Sequence, residues 1–161
     1  MFITIREGIP EDIPNVLLLI KELAVYELAG DEVITTENSM YEDAFGLDPA
    51  FRFIVAVENE SIVGTAIYFY TYSTWKGRAM HLEDIVVSEN MRRSGIGKLL
   101  FDWLVKTAHT LGSKRFAWQV LEWNTPAIEF YKKIDAEFDA EWINCKFSTK
   151  GLKKYIEKYK L

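Results

Sequence analysis

The chain has 161 residues and a mass of 18.7 kDa, with a net charge of −5 at neutral pH. Hydrophobic residues make up 49% and charged residues 27%, the balance of one soluble globular domain over 1–161 with enough chain for a sizeable core. No apolar run is long enough to cross a bilayer, and the acidic total argues against a general nucleic-acid binder.

Residues 2–6 alternate in the manner of a first strand and not of a signal peptide. Pro10, Glu11 and Asp12 open a helix, since proline is tolerated and acids are favoured in a first turn. Ile13, Val16, Leu17, Ile20, Leu23 and Ala24 then recur at helical spacing to about Tyr26. After the Gly30-Asp31 break, residues 36–45 read as a second short helix with Met40, Tyr41, Ala44 and Phe45 inward. Between Glu22 and Pro49 lie eight acidic residues and no Lys or Arg. Such a segment is either a field that attracts cations or a solvated acidic surface.

Residues 51–57, 62–72 and 78–87 are rich in β-branched and aromatic side chains and predict a three-stranded meander, with Trp75 on its second connection. The third strand ends in Leu82-Glu83-Asp84-Ile85-Val86-Val87 and leads into Arg92-Arg93-Ser94-Gly95-Ile96-Gly97-Lys98. Leu99, Leu100, Trp103, Leu104, Thr107 and Ala108 mark one face of the helix that follows, and Gly112 stops it. Residues 115–121 return as a strand, which makes this crossover a right-handed parallel βαβ unit. Asn124-Thr125-Pro126 opens a further helix carrying Ala127, Ile128, Phe130 and Tyr131. Residues 137–147 read as a last strand, with Cys145 packed on it. A single cysteine excludes an internal disulfide and fits a reducing, cytoplasmic setting. Residues 150–161 carry five lysines against one glutamate, so the rest of the chain stands at −9. His81 and His109 lack metal-ligand spacing, and no metal is expected. The order of elements is mixed α+β.

Strand, short glycine loop and helix N-terminus together form an anion cradle. The first N–H groups of a helix have no internal partner, the dipole adds positive potential, and glycine lets backbone approach a phosphate. Backbone N–H groups of residues 93–98 can hold a diphosphate. Arg92, Arg93 and Lys98 either add charge to it or point to water. Glu83 and Asp84 occupy consecutive strand positions and are expected on opposite faces. An acid in an apolar strand is costly unless paired or used, so one of them suits an amine as base or as counter-charge. Trp75 offers a cation–π surface to an ammonium, or is simply a surface residue.

Arg-x-x-Gly-x-Gly after a third meander strand resembles the GCN5-related N-acetyltransferases (GNAT), with Arg92, Gly95 and Gly97 in register. Asn124 and Tyr131, seven apart, are similar to that superfamily's second cofactor-facing element. Leu19 to Ala24, Tyr26-Glu27, Phe69 to Trp75, Leu82-Glu83-Asp84, Glu122-Trp123-Asn124 and Phe130-Tyr131-Lys132 resemble its spermidine/spermine and thialysine branch. The resemblance implies a GNAT fold with helices on both sheet faces, acetyl-CoA as donor, a small cationic amine as acceptor, and a homodimer. It implies direct attack in a ternary complex. Tyr131 would be the general acid and Glu83 the base, with Tyr26, Glu27, Trp75, Glu83 and Asp84 around the amine. Ile85, Val86 and Val87, the loop 92–98, Asn124, Ala127, Tyr131 and Lys133 would hold the cofactor. A thialysine or other small-amine acetyltransferase, and a silent CoA-binding regulator, are the alternatives. One departure is Asp135, where the family often has glycine at a position that needs a left-handed backbone.

Overall fold

The alternating and β-branched segments pair as their patterns demand. In the computed structural model, which describes residues 2–161, β1 (Thr4–Glu7), β2 (Arg52–Glu58), β3 (Ser61–Ser73) and β4 (Gly77–Val87) form consecutive antiparallel ladders. Helix α1 (Ile13–Tyr26) and α2 (Glu37–Phe45) precede the meander. Helix α3 (Ile96–Thr110) crosses to β5 (Phe116–Ala117), which pairs parallel with β4 at Met80 and His81. The sheet order β1-β2-β3-β4-β5 therefore contains one parallel pair at its end, as the βαβ reading requires.

The sheet buries both faces. Phe53, Val55 and Ile67 pack with Ile13, Val16 and Leu17 of α1 and Met40 of α2. On the opposite face Tyr68 meets Trp103 of α3, ring centroids 6.3 Å apart. Gly64 lets α3 close in: a Cβ there would lie 3.3 Å from Leu100 Cδ1 and 3.4 Å from Ile96 Cγ2. Leu100, Leu104 and Ala108 are buried as their spacing predicts, whereas Leu99, read onto the same face, is exposed. Asp12 is a buried acid held by Arg6 (Nη1 to Oδ2, 2.6 Å; Nη2 to Oδ1, 2.8 Å) and by the Ile9 N–H, tying β1 to the start of α1.

The structure divides into two compact units, one running to Gln119 and the other Val120–Leu161. The second holds α4 (Thr125–Lys133) and α5 (Thr149–Tyr159). Three sequence expectations are corrected. Tyr41, expected inward on α2, is exposed at the edge of that helix's apolar face. The strand expected over 115–121 is only two residues long, and residues 137–147 form no strand. Alternating apolar residues make a strand only where a partner edge completes their hydrogen bonds. Cys145, expected on that strand, is exposed.

Candidate active site

The glycine loop has the conformation its sequence asks for. Gly95 stands at φ 85°, the left-handed region, as the N-cap of α3, and no side chain caps that helix. A Cβ at Gly95 would meet nothing within 4 Å, so the backbone angle and not space selects glycine. The first bond back along α3 runs from the Leu99 N–H to the Gly95 carbonyl at 3.1 Å, which leaves the preceding N–H groups facing out of the helix end. Ser94 Oγ donates to the Met91 carbonyl, and Arg93 is also left-handed at φ 62°. Residues 92–95 are exposed. An uncapped, exposed helix start behind a left-handed glycine fits a diphosphate.

Beside the loop, β5 pairs with β4 only at Met80 and His81. The β4 backbone of Ile85, Val86 and Val87 on that side has no strand partner among the described residues. An open strand edge fits an extended amide arm in the manner of an added strand. Two cations of the loop are already engaged. Lys98 pairs with Asp102 at 2.6 Å, and Arg92 pairs with Glu22 at 3.0 Å while lying 5.0 Å from the Tyr26 ring centroid.

The acids lie on the α1 side of the sheet. The ladder between β3 and β4 shifts register: Ile67 opposes Asp84 and Tyr68 opposes Leu82, leaving Glu83 as the extra residue of a bulge. Strand alternation alone would put Leu82 and Asp84 on one face. The bulge instead sets Asp84 beside Ile67, in the face packed by α1, and leaves Glu83 exposed. Burial pushes the Asp84 carboxyl up to about 6, and the like charges of Glu83 and Glu27 push the same way. Glu27 caps the C-terminal end of α1 and is itself raised by burial. Glu83 Oε2 lies 3.8 Å from His81 Nε2. Three carboxylates thus converge where α1 ends against the bulge. Trp75 does not join them: it is 86% exposed at the tip of the β3–β4 hairpin. Along β4 that tip is roughly 20 Å from Asp84.

In the second unit, Asn124 caps α4, its Oδ1 accepting from the Ala127 N–H at 3.3 Å. Tyr131 is 6% exposed, and burial pushes its phenol up to about 12, so it keeps its proton at neutral pH. Lys133 closes the helix on the exposed side. Sequence reasoning passed over Glu22. Its spacing of four from Tyr26 was visible, but a partner 70 residues away was not.

A mixed sheet with one short parallel pair, and a glycine loop at the start of the crossover helix, define an acyl-CoA N-acyltransferase architecture. The Acetyltransferase (GNAT) family matches residues 21–135. The chain is 36% identical over 154 residues to thialysine N-epsilon-acetyltransferase of Bos taurus, covering 89% of this chain and 91% of that protein. It is 30% identical to spermidine/spermine N(1)-acetyltransferase-like protein 1 of Homo sapiens, covering 94% of this chain and 23% of that longer protein. An integron cassette protein from the mobile metagenome of V. cholerae superposes with a TM-score of 0.81 at 25% identity, over 98% of this chain and 99% of that one. The chain belongs to the GNAT acetyltransferase family and is an N-acetyltransferase that takes its acetyl group from acetyl-CoA.

Proposed function

We propose that the acceptor is a small primary amine carrying further positive charge, a polyamine or diamine in the first place. The convergence of Asp84, Glu27 and Glu83 at the end of α1 carries this reading, because two partly buried carboxylates raised by burial, with an exposed third beside them, favour a cation that neutralises them. The thioester supplies an activated acetyl group, and the chain's own residues do the rest. The N–H groups at the start of α3 and the free edge of β4 hold the donor. Asp84 takes the proton, directly or through water, that the acceptor nitrogen must lose to attack the thioester carbonyl. The family resemblance implies that task for Glu83. Its exposure suits it better to the distal charge of the acceptor, and the burial of Asp84 suits Asp84 to proton transfer near neutrality. Tyr131 keeps a proton for the departing thiolate. Cys145 is exposed and its Sγ donates to the Ile143 carbonyl at 3.7 Å, in keeping with direct transfer and no acyl-enzyme.

A thialysine or lysine-like acceptor is the second reading, favoured by the name of the Bos taurus relative. CoA release over a panel of spermidine, spermine, putrescine, thialysine and aminoglycosides separates the two. Highest kcat/KM for a polyamine supports the first, and highest for thialysine the second. CoA binding without release for any amine leaves a silent regulator instead.

The family match spans the boundary between the two compact units, which supports one acetyltransferase domain over 1–161. We also place the enzyme in the cytoplasm as a homodimer. No helix among the described residues is long and apolar enough to cross a membrane. Phe138, Trp142, Ile143 and Phe147 are exposed, as are Leu152, Tyr155, Ile156 and Tyr159 of α5, an apolar surface suited to a second copy.

A further inference from the structure

We propose that Glu22 is a positioning residue for acetyl transfer, acting through Arg92. The inference rests on the acetyl-transfer reading above. Arg92 opens the glycine loop, yet its guanidinium turns toward the body of the protein. Nε donates to the Val87 carbonyl at 3.3 Å, Nη2 donates to Glu22 Oε1 at 3.0 Å, and the group lies 5.0 Å from the Tyr26 ring centroid. One planar cation therefore joins three pieces: the last residue of β4, the loop that begins α3, and the final turn of α1. Glu22 and Tyr26 are four apart and so present one face of α1 to it. The next residue, Glu27, adds its charge to Asp84.

Neither member of the Glu22–Arg92 pair is deeply buried, with side-chain exposures of 34% and 35%, so the pair contributes little to stability. Its value is geometric. The fork of a guanidinium satisfies a carbonyl and a carboxylate at fixed angles, which the single ammonium of lysine does not. With Glu22 neutralising Arg92, the donor's phosphates rest chiefly on backbone N–H groups, while Arg92 holds the donor loop at a set distance from the acid-bearing end of α1. Donor carbonyl and acceptor nitrogen are thus brought into register by a contact that touches neither.

The test compares wild type with Glu22→Ala, Glu22→Gln, Arg92→Lys and Glu22→Ala/Arg92→Lys, each checked for an unchanged melting temperature. We expect Glu22→Ala to lower kcat about tenfold at saturating acetyl-CoA and amine, with the Kd for CoA moving less than about twofold. Glu22→Gln, which keeps an acceptor oxygen, restores part of that loss. Arg92→Lys gives a similar loss, and the double variant is no slower than the worse single one, since both act through one contact. Unchanged kcat in Glu22→Ala, or losses that multiply in the double variant, overturns the positioning role and leaves the acetyl-transfer reading intact. A wild type that binds CoA but acetylates no amine overturns both.

Discussion

A carboxylate buried beside two others holds its proton longer than one in water, and Asp84 titrates at about 6 for that reason. In its proposed role as the base it must be ionised. The kcat/KM for the amine should therefore rise through about pH 6, beneath the further rise set by the amine's own deprotonation. Asp84→Asn should abolish the lower limb and slow turnover about 100-fold, measured as initial rates of CoA release across pH. The same shift acts on stability. A folded pKa raised from 3.8 to about 6 means that the native state binds the proton more tightly than the unfolded chain does. Its stabilising contribution is complete below the unfolded value and is lost as pH rises through about 6. The ionised group then costs about 3 kcal/mol at neutral pH. Asp84→Asn should accordingly raise the melting temperature near pH 7 and have little effect near pH 4. Tyr131 lies at the other extreme. With its phenol at about 12 it is a proton store throughout the working range. Tyr131→Phe should lower kcat about 100-fold with CoA affinity unchanged, and an unaltered kcat sinks the general-acid role.

Among the elements, α4 ends with a Schellman pattern: the Ala136 N–H bonds the Tyr131 carbonyl and the Asp135 N–H bonds the Lys132 carbonyl, both at 3.1 Å. Asp135 takes the left-handed place at φ 58°, where glycine bears no Cβ penalty. Asp135→Gly should raise stability by about 1 kcal/mol in urea denaturation, because this relief exceeds the extra chain entropy of glycine. That conformation was legible through the family resemblance, which puts glycine at this place, and Asp is among the few other residues that tolerate it. The amphipathic run of α3 was legible from its spacing alone. What was not legible depends on partners far along the chain. The bulge at Glu83 exists because β3 and β4 pair out of step, and it decides which acid is buried. The strand expected over 137–147 failed because alternation supplies a face but no edge to bond to. Leu99 sits at the margin of the α3 stripe, where spacing alone does not separate buried from exposed.

For the molecule as a whole, the charge is divided. The body excluding residues 150–161 carries −9, and most acids of the stretch 22–49 are exposed. Glu22 and Glu27 are the partly buried ones, and they lie at the same end of α1 as Arg92 and the Asp84 cluster. The stretch is therefore a solvated acidic surface over most of its length, with two partly buried carboxylates at its start that we propose serve the cationic acceptor. Exposed charges act on a ligand only within a Debye length, whereas partly buried ones are screened less. An acceptor with three positive charges should feel both sets, and one with a single extra charge mainly the second. Raising salt from about 20 to about 200 mM shortens the screening length from roughly 20 to roughly 7 Å. The KM for spermidine should then rise several-fold and that for thialysine less, as the steering term is removed. The KM for acetyl-CoA should move least if, as proposed, backbone N–H groups at the start of α3 hold its diphosphate. Equal salt sensitivity for the two amines would assign the acidic surface no part in choosing the acceptor, and leave selection to the Asp84 cluster alone.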